Sequence, residues 1–118
     1  MVADLGELPY RQLIDAAPDG VIVCDARGVI LLINAEAERM FGYSHDALVG
    51  VSIDRLIPQA ARTQHAMHLD HYVRDARLRP MGVGLELTGL RADGSELPVE
   101  ISLAPMQTSR GLLITAGI

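Results

Sequence analysis

Between Gly20 and Asn34 the chain reads Gly-Val-Ile-Val-Cys-Asp-Ala-Arg-Gly-Val-Ile-Leu-Leu-Ile-Asn. Two runs rich in β-branched residues flank Asp25-Ala26-Arg27-Gly28, where Asp and Gly supply turn chemistry. This predicts a β-hairpin over 20–34 and commits the chain to antiparallel pairing early. Two further strands are expected at about Met81–Arg91 and Ser95–Met106, joined by Ala92-Asp93-Gly94, a strong hairpin signal. A last strand runs over Gly111–Ile118. The stretch between the hairpins reads as helices. Asn34 is an N-cap candidate for Ala35–Phe41, with Gly42 as the stop. Ser44 starts a short helix through Leu48, closed by Gly50. Ser52 starts another, Ile53–Ile57, closed before Pro58. A longer helix follows from Gln59 to about Asp75. Ahead of the first hairpin, Leu8, Leu13, Ile14 and Ala17 recur at helical spacing, and Pro18 ends that helix. This order predicts an α+β fold, an antiparallel sheet with helices grouped on one face. No internal repeat or linker interrupts it.

Composition narrows the functional classes. At 118 residues the chain is one domain's worth, and 49% apolar against 21% charged residues excludes wholesale disorder. Net charge is −5, and all 10 cationic residues are Arg. Such a chain lacks the basic footprint of a nucleic-acid or anionic-membrane binder. Only 3% of residues are aromatic, with no Trp, which argues against binding single strands by stacking. The longest apolar run, Gly28–Ile33, is far short of the ~20 residues of a membrane span. The first residues show no secretory signal. The lone Cys24 cannot form an internal disulfide, so a cytoplasmic location is expected.

Several stretches together resemble the PAS domain family. Ile14-Asp15-Ala16-Ala17-Pro18-Asp19-Gly20-Val21-Ile22 looks like its opening. Ile33-Asn34-Ala35-Glu36-Ala37-Glu38-Arg39-Met40-Phe41-Gly42-Tyr43 looks like its Asn-x-Ala…Phe-Gly-Tyr signature. Leu48-Val49-Gly50…Leu56-Ile57-Pro58 and the Asp-Gly hairpin Arg91–Ser102 follow at the right spacing. The resemblance covers about Tyr10–Ile118, so residues 1–9 read as a flank and 10–118 as the domain. It implies a five-stranded antiparallel sheet whose concave face, opposite the long helix, can hold a small apolar ligand. It also implies a non-catalytic sensory module of a longer bacterial protein, most often a sensor histidine kinase. A homodimer through the N-terminal helix Leu8–Ala17 and the sheet is expected, with neither nucleic acid nor membrane as partner.

The long helix carries the ligand signal. At about 100° per residue, Ala61, Leu69, Tyr72 and Ala76 fall within about 40° of His65. Arg62 and His68 flank this stripe, and Asp70, His71 and Arg74 lie opposite. His65 thus sits mid-stripe. The candidate pocket residues are His65, Leu69, Tyr72, Met81, Leu85, Ile101 and Leu103. Leu56-Ile57-Pro58…Arg62…His65…Tyr72…Gly82 is similar to the haem-binding PAS domains of oxygen-sensing kinases. There, the resemblance implies, His65 would be the axial ligand of haem b, with Ile101 and Leu103 walling the other side. The sequence departs from that subgroup where an oxygen-holding Arg is replaced by Leu85. A sixth-ligand Met of another subgroup is replaced by Val83, with Met81 nearby. Flavin photochemistry is disfavoured, because Ile53 stands where the blue-light subgroup has its reactive Cys.

Other constellations are weaker. Cys24 reads as a small buried hydrophobe. His65, His68 and His71 spread over about 120° of the helix, too wide for one ion. Ser44-His45-Asp46 is adjacent in sequence, and Ser44 is better read as an N-cap than as part of a triad. Glu96 and Glu100 share a strand face expected to be solvated. There is no Gly-rich phosphate loop, so the chain alone is not expected to be a kinase, and with no paired pocket carboxylates, nucleophile or metal set it is not expected to be an enzyme by itself.

Overall fold

The computed structural model describes residues 14–75, 79–81 (backbone) and 87–118. Strands β1 (Val21–Asp25) and β2 (Ile30–Ile33) form the expected first hairpin. Its turn is held by Asp25 Oδ1, which accepts from the amides of Arg27 and Val29 at 2.9 and 3.0 Å. A register shift between Val23 and Cys24 bends β1. Helix α1 (Ala35–Phe41) ends at Gly42, whose φ of 78° is left-handed and favours glycine. Helix α2 (His45–Leu48) is capped by Ser44 Oγ, and a 3-10 turn over Ile53–Leu56 is capped by Ser52 Oγ.

The long helix divides. Gln59–Ala61 forms a 3-10 turn, and helix α3 runs from Arg62 to Arg74. On the far side of the chain are β3 (Arg79–Met81), β4 (Leu87–Leu90), β5 (Glu96–Val99), β6 (Ile101–Thr108) and β7 (Gly111–Gly117). Five strands make the main antiparallel sheet in the order β2-β1-β7-β6-β3, and β4 pairs with β5 in a separate two-stranded sheet.

The five-stranded antiparallel sheet agrees with expectation, but the strands that build it are divided differently. The strand expected over Met81–Arg91 is two, β3 and β4, in different sheets. The strand expected over Ser95–Met106 breaks at Glu100: β5 pairs with β4, whereas β6 pairs with β3 and β7. Side-chain alternation continues through such a break, so it leaves no mark on the hydrophobic pattern. Most of the expected helix Leu8–Ala17 lies outside the described residues, as do Ala76, Gly82, Val83, Leu85 and the side chain of Met81.

The core has two clusters. The larger joins Ile22, Ile30, Ile33, Ala37, Phe41, Leu48, Leu56 and Leu97. The smaller joins Cys24, Tyr72 and Ile114. Asn34, fully buried, ties the larger cluster together. Its Oδ1 accepts from the amides of Val21 and Ala37, at 2.8 and 3.0 Å. Its Nδ2 donates to the carbonyls of Ile14 and Asp19, at 2.8 and 3.0 Å. One side chain thereby caps α1 and fixes the chain's entry into β1.

Candidate ligand cavity between helix α3 and the sheet

A cavity of about 510 Å³ lies between α3 and the inner face of the sheet. That falls within the roughly 300–1,000 Å³ of small-molecule sites. Helix α3 and the turn before it present Ala61, His65, Leu69 and Tyr72, the same face that helical geometry predicts. The sheet presents Cys24, Ile101, Leu103, Ile114 and Ala116. These inward positions follow from alternation: Ile114 is buried, and its register partners are Cys24 and Pro105.

Phe41 closes one end and belongs to both the packed cluster and the cavity wall. It is held there by Gly89, where a Cβ would meet Phe41 Cε1 at 2.7 Å. The polar lining side chains Gln64, His68 and Thr88 are exposed, so they mark the mouth. The cavity therefore suits a molecule with an apolar body inside and a polar part at the opening.

His65 is the polar group set into the aliphatic wall. Its side chain is 21% exposed, and its Nδ1 is buried with no hydrogen-bond partner. Burial lowers its pKa; Asp54 pulls the other way and His68 adds to the lowering. The ring is thus neutral near pH 7 and keeps a lone pair. Cys24 faces the same cavity with its thiol pushed up to about 11 by burial and the nearby Asp25. At that value it holds its proton and acts as a small apolar group.

Of the expected pocket residues, the structure brings His65, Leu69, Tyr72, Ile101 and Leu103 to one cavity. The Met81 side chain and Leu85 lie outside the described residues. Asp70, His71 and Arg74 are exposed as expected, and Arg74 pairs with Asp70 at 3.0 Å. Among the described residues, no group of three His, Cys, Asp or Glu side chains is placed to hold a metal ion. No described helix is long and apolar enough to cross a membrane.

Sequence reasoning missed Asp54, whose Oδ1 lies 3.9 Å from His65 Nδ1. Asp54 precedes the helix on a 3-10 turn, so no periodicity relates the two. The participation of Ala116 and Gly89 was also hidden, because small residues carry no chemical signal of their own.

The residues fit a haem group. His65 would supply a neutral imidazole nitrogen to the iron, and Leu69, Ile101, Leu103 and Ile114 would give it aliphatic walls.

A family model described as PAS, PAS fold, matches residues 9–117. The chain is 32% identical over 102 residues to the sensor protein FixL of Bradyrhizobium diazoefficiens, covering 86% of this chain and 20% of that protein. It is 27% identical over 85 residues to the oxygen sensor protein DosP of Escherichia coli, covering 72% of this chain and 11% of that protein. The chain thus spans a fifth or less of these relatives. A solved PAS domain of an HTR-like protein from Haloarcula marismortui superposes with a TM-score of 0.74 at 21% identity, covering 99% of this chain and 96% of that one.

Proposed function

This chain belongs to the PAS family and is similar to the sensor domains of histidine kinases, and from that premise we propose that it is the sensory module of a longer cytoplasmic signalling protein, reading a small, largely apolar ligand held between α3 and the sheet. The observation that carries this reading is the cavity of about 510 Å³ left beside a well-packed core. A concave, mostly apolar space of this size with a few polar groups at its mouth is the usual form of a small-molecule site, which supports the reading. Occupancy would reach the output through the inner sheet strands β6 and β7, which wall the cavity on one face and present Leu113, Thr115 and Met106 on the other.

The outer face supports a homodimer. Val23, Leu32 and Leu113 lie on it opposite the buried Ile22, Ile33 and Ile114, with Met106 beside Leu113 and 48% exposed. A sheet face this apolar suits a partner surface. Light scattering on the chain tests this: Leu113→Glu shifts a dimer to monomer without loss of helical signal.

His65 favours a more specific second reading, in which the ligand is haem bound through Nε2. When bound, haem would supply a site for diatomic gases or for one-electron redox change. The chain's part would be to hold the imidazole neutral and the walls dry. The test is the visible spectrum of chain produced with a haem precursor, beside His65→Ala. A Soret band that His65→Ala removes or shifts supports haem. A colourless wild type rejects it and returns the question to apolar ligands, screened by thermal shift.

A further inference from the structure

His65 stands between two cavities. The larger is the ligand cavity, and the smaller, of about 230 Å³, lies on its other side and is lined by Arg27, Ser52, Asp54 and Asp70 among others. The buried Nδ1 of His65 has no hydrogen-bond partner, and Asp54 Oδ1 is 3.9 Å away. A buried N–H left unpaired forfeits the hydrogen bond it made to water, so such groups almost always have acceptors.

The backbone of Asp54 is pinned from both sides. Its amide donates to Ser52 Oγ at 3.1 Å. Its carbonyl accepts from Arg62 Nε at 3.0 Å, and Arg62 also donates to the carbonyl of Ile57 at 3.0 Å. Arg62 lies one turn before His65 on the same helix. The clamp therefore fixes the 3-10 turn to the helix that carries the imidazole. The Asp54 carboxylate, whose side chain is 47% exposed, stands with its Oδ1 3.9 Å from His65 Nδ1.

We propose that Asp54 is the positioning residue of this site: it accepts a hydrogen bond from His65 Nδ1–H and so holds His65 in the neutral tautomer whose Nε2 lone pair is open to the cavity. The assignment rests on His65 facing the occupant, as proposed above, and it narrows that occupant's chemistry. The tautomer presents an electron pair, so the matching group is an electron-pair acceptor. It is the iron of a haem, or an N–H or O–H donor on an organic ligand, and not a carbonyl or carboxylate. A carboxylate behind an imidazole also raises the ring's donor strength, the arrangement found behind metal-binding histidines.

The test is long-range proton–nitrogen NMR of the 118-residue chain labelled at histidine, without ligand, at a pH where His65 is neutral. The His65 signals are assigned by their loss in His65→Gln. Wild type is expected in the Nδ1–H form. Asp54→Asn, whose side-chain oxygen still accepts, keeps it, and Asp54→Ala moves the ring towards Nε2–H. Nε2–H in wild type, or an unchanged tautomer in Asp54→Ala, overturns the proposal. The wild-type spectrum is decisive even where a variant fails to fold.

Haemin titration forms the second arm. Asp54→Ala is expected to bind about ten- to a hundredfold more weakly than wild type, with Asp54→Asn close to wild type. Equal affinity in wild type and Asp54→Ala overturns the positioning role and leaves the haem reading standing. A wild type that ignores haemin but shows the Asp54-dependent tautomer removes haem and supports the positioning role with a donor ligand in its place.

Discussion

Strand β1 serves two regions that are filled in opposite ways. Ile22 belongs to a cluster of eight buried hydrophobic residues, beside the buried Asn34 with its hydrogen bonds made, and reaches the cavity only at that cluster's edge, with Phe41 and Leu56. Cys24, two residues on, points into a cluster of three beside a cavity. Close packing on one side provides the stability that lets the other stay hollow. Side chains along the cavity wall forgo dispersion attraction on their open side, and the packed half or an occupant must offset that deficit. The difference separates two regions: the β1-β2-α1 half is closely packed, and the α3 half encloses the cavity.

The largest expected effect lies in the packed half. Asn34→Leu leaves the amides of Val21 and Ala37 and the carbonyls of Ile14 and Asp19 without their partner. One of these bonds is buried and three are part-buried, where water can replace some of the loss, so the total should reach about 3–5 kcal/mol, with Tm lower by roughly 10 °C or more. Urea unfolding that shows under 1 kcal/mol would break the comparison at its base.

Next comes a matched pair of truncations. Ile33→Ala in the packed half should cost about 3–4 kcal/mol, and Leu103→Ala on the cavity wall about 1 kcal/mol, because Leu103 has fewer neighbours to lose. Equal losses in denaturant melts would mean that the cavity wall is as tightly packed as the core.

Filling should reverse the order. Ala116→Leu projects into the cavity and is expected to be neutral or to stabilise by up to about 1 kcal/mol, while abolishing thermal shifts from any cavity ligand. Ala37→Leu, against a packed neighbourhood, should destabilise by about 1–3 kcal/mol.

The smallest effect concerns Cys24. Its thiol keeps its proton to about pH 11, whereas the unfolded thiol, with a pKa of 9.0, loses it two units earlier. The unfolded chain therefore releases its proton first, so stability declines as pH rises from 9 to 11. Cys24→Ala should flatten that decline in melts taken across the window. Disulfide-exchange reagents at pH 8 should react with the native thiol on the order of a hundredfold more slowly than with the unfolded one.

Much of this organisation was legible in the residues. Asn34, Ser44 and Ser52 start the segments that follow them, because their oxygens meet free amides at those starts. Gly42 and Gly94 stop a helix and turn a hairpin at φ values of 78° and 88°. Helical angles alone put His65, Leu69 and Tyr72 on the inner face, and the family resemblance implied Ile101 and Leu103 opposite. The unseen parts share one cause. The bonds from Asn34 to the carbonyls of Ile14 and Asp19, the separation of β4–β5 from the main sheet, and the approach of Asp54 to His65 all join segments with no periodic relation.

What the sequence determined by itself was therefore local: where each element begins and ends, which face of it is apolar, and that one histidine points inward. These follow from backbone sterics and side-chain period, which act over a few residues. The tertiary structure alone decided that the inward face of α3 meets open space rather than packed side chains, and that a carboxylate stands behind the imidazole. Those depend on how far apart separate elements settle, a balance of packing against Phe41, Gly89 and the Arg62 clamp that no single segment contains.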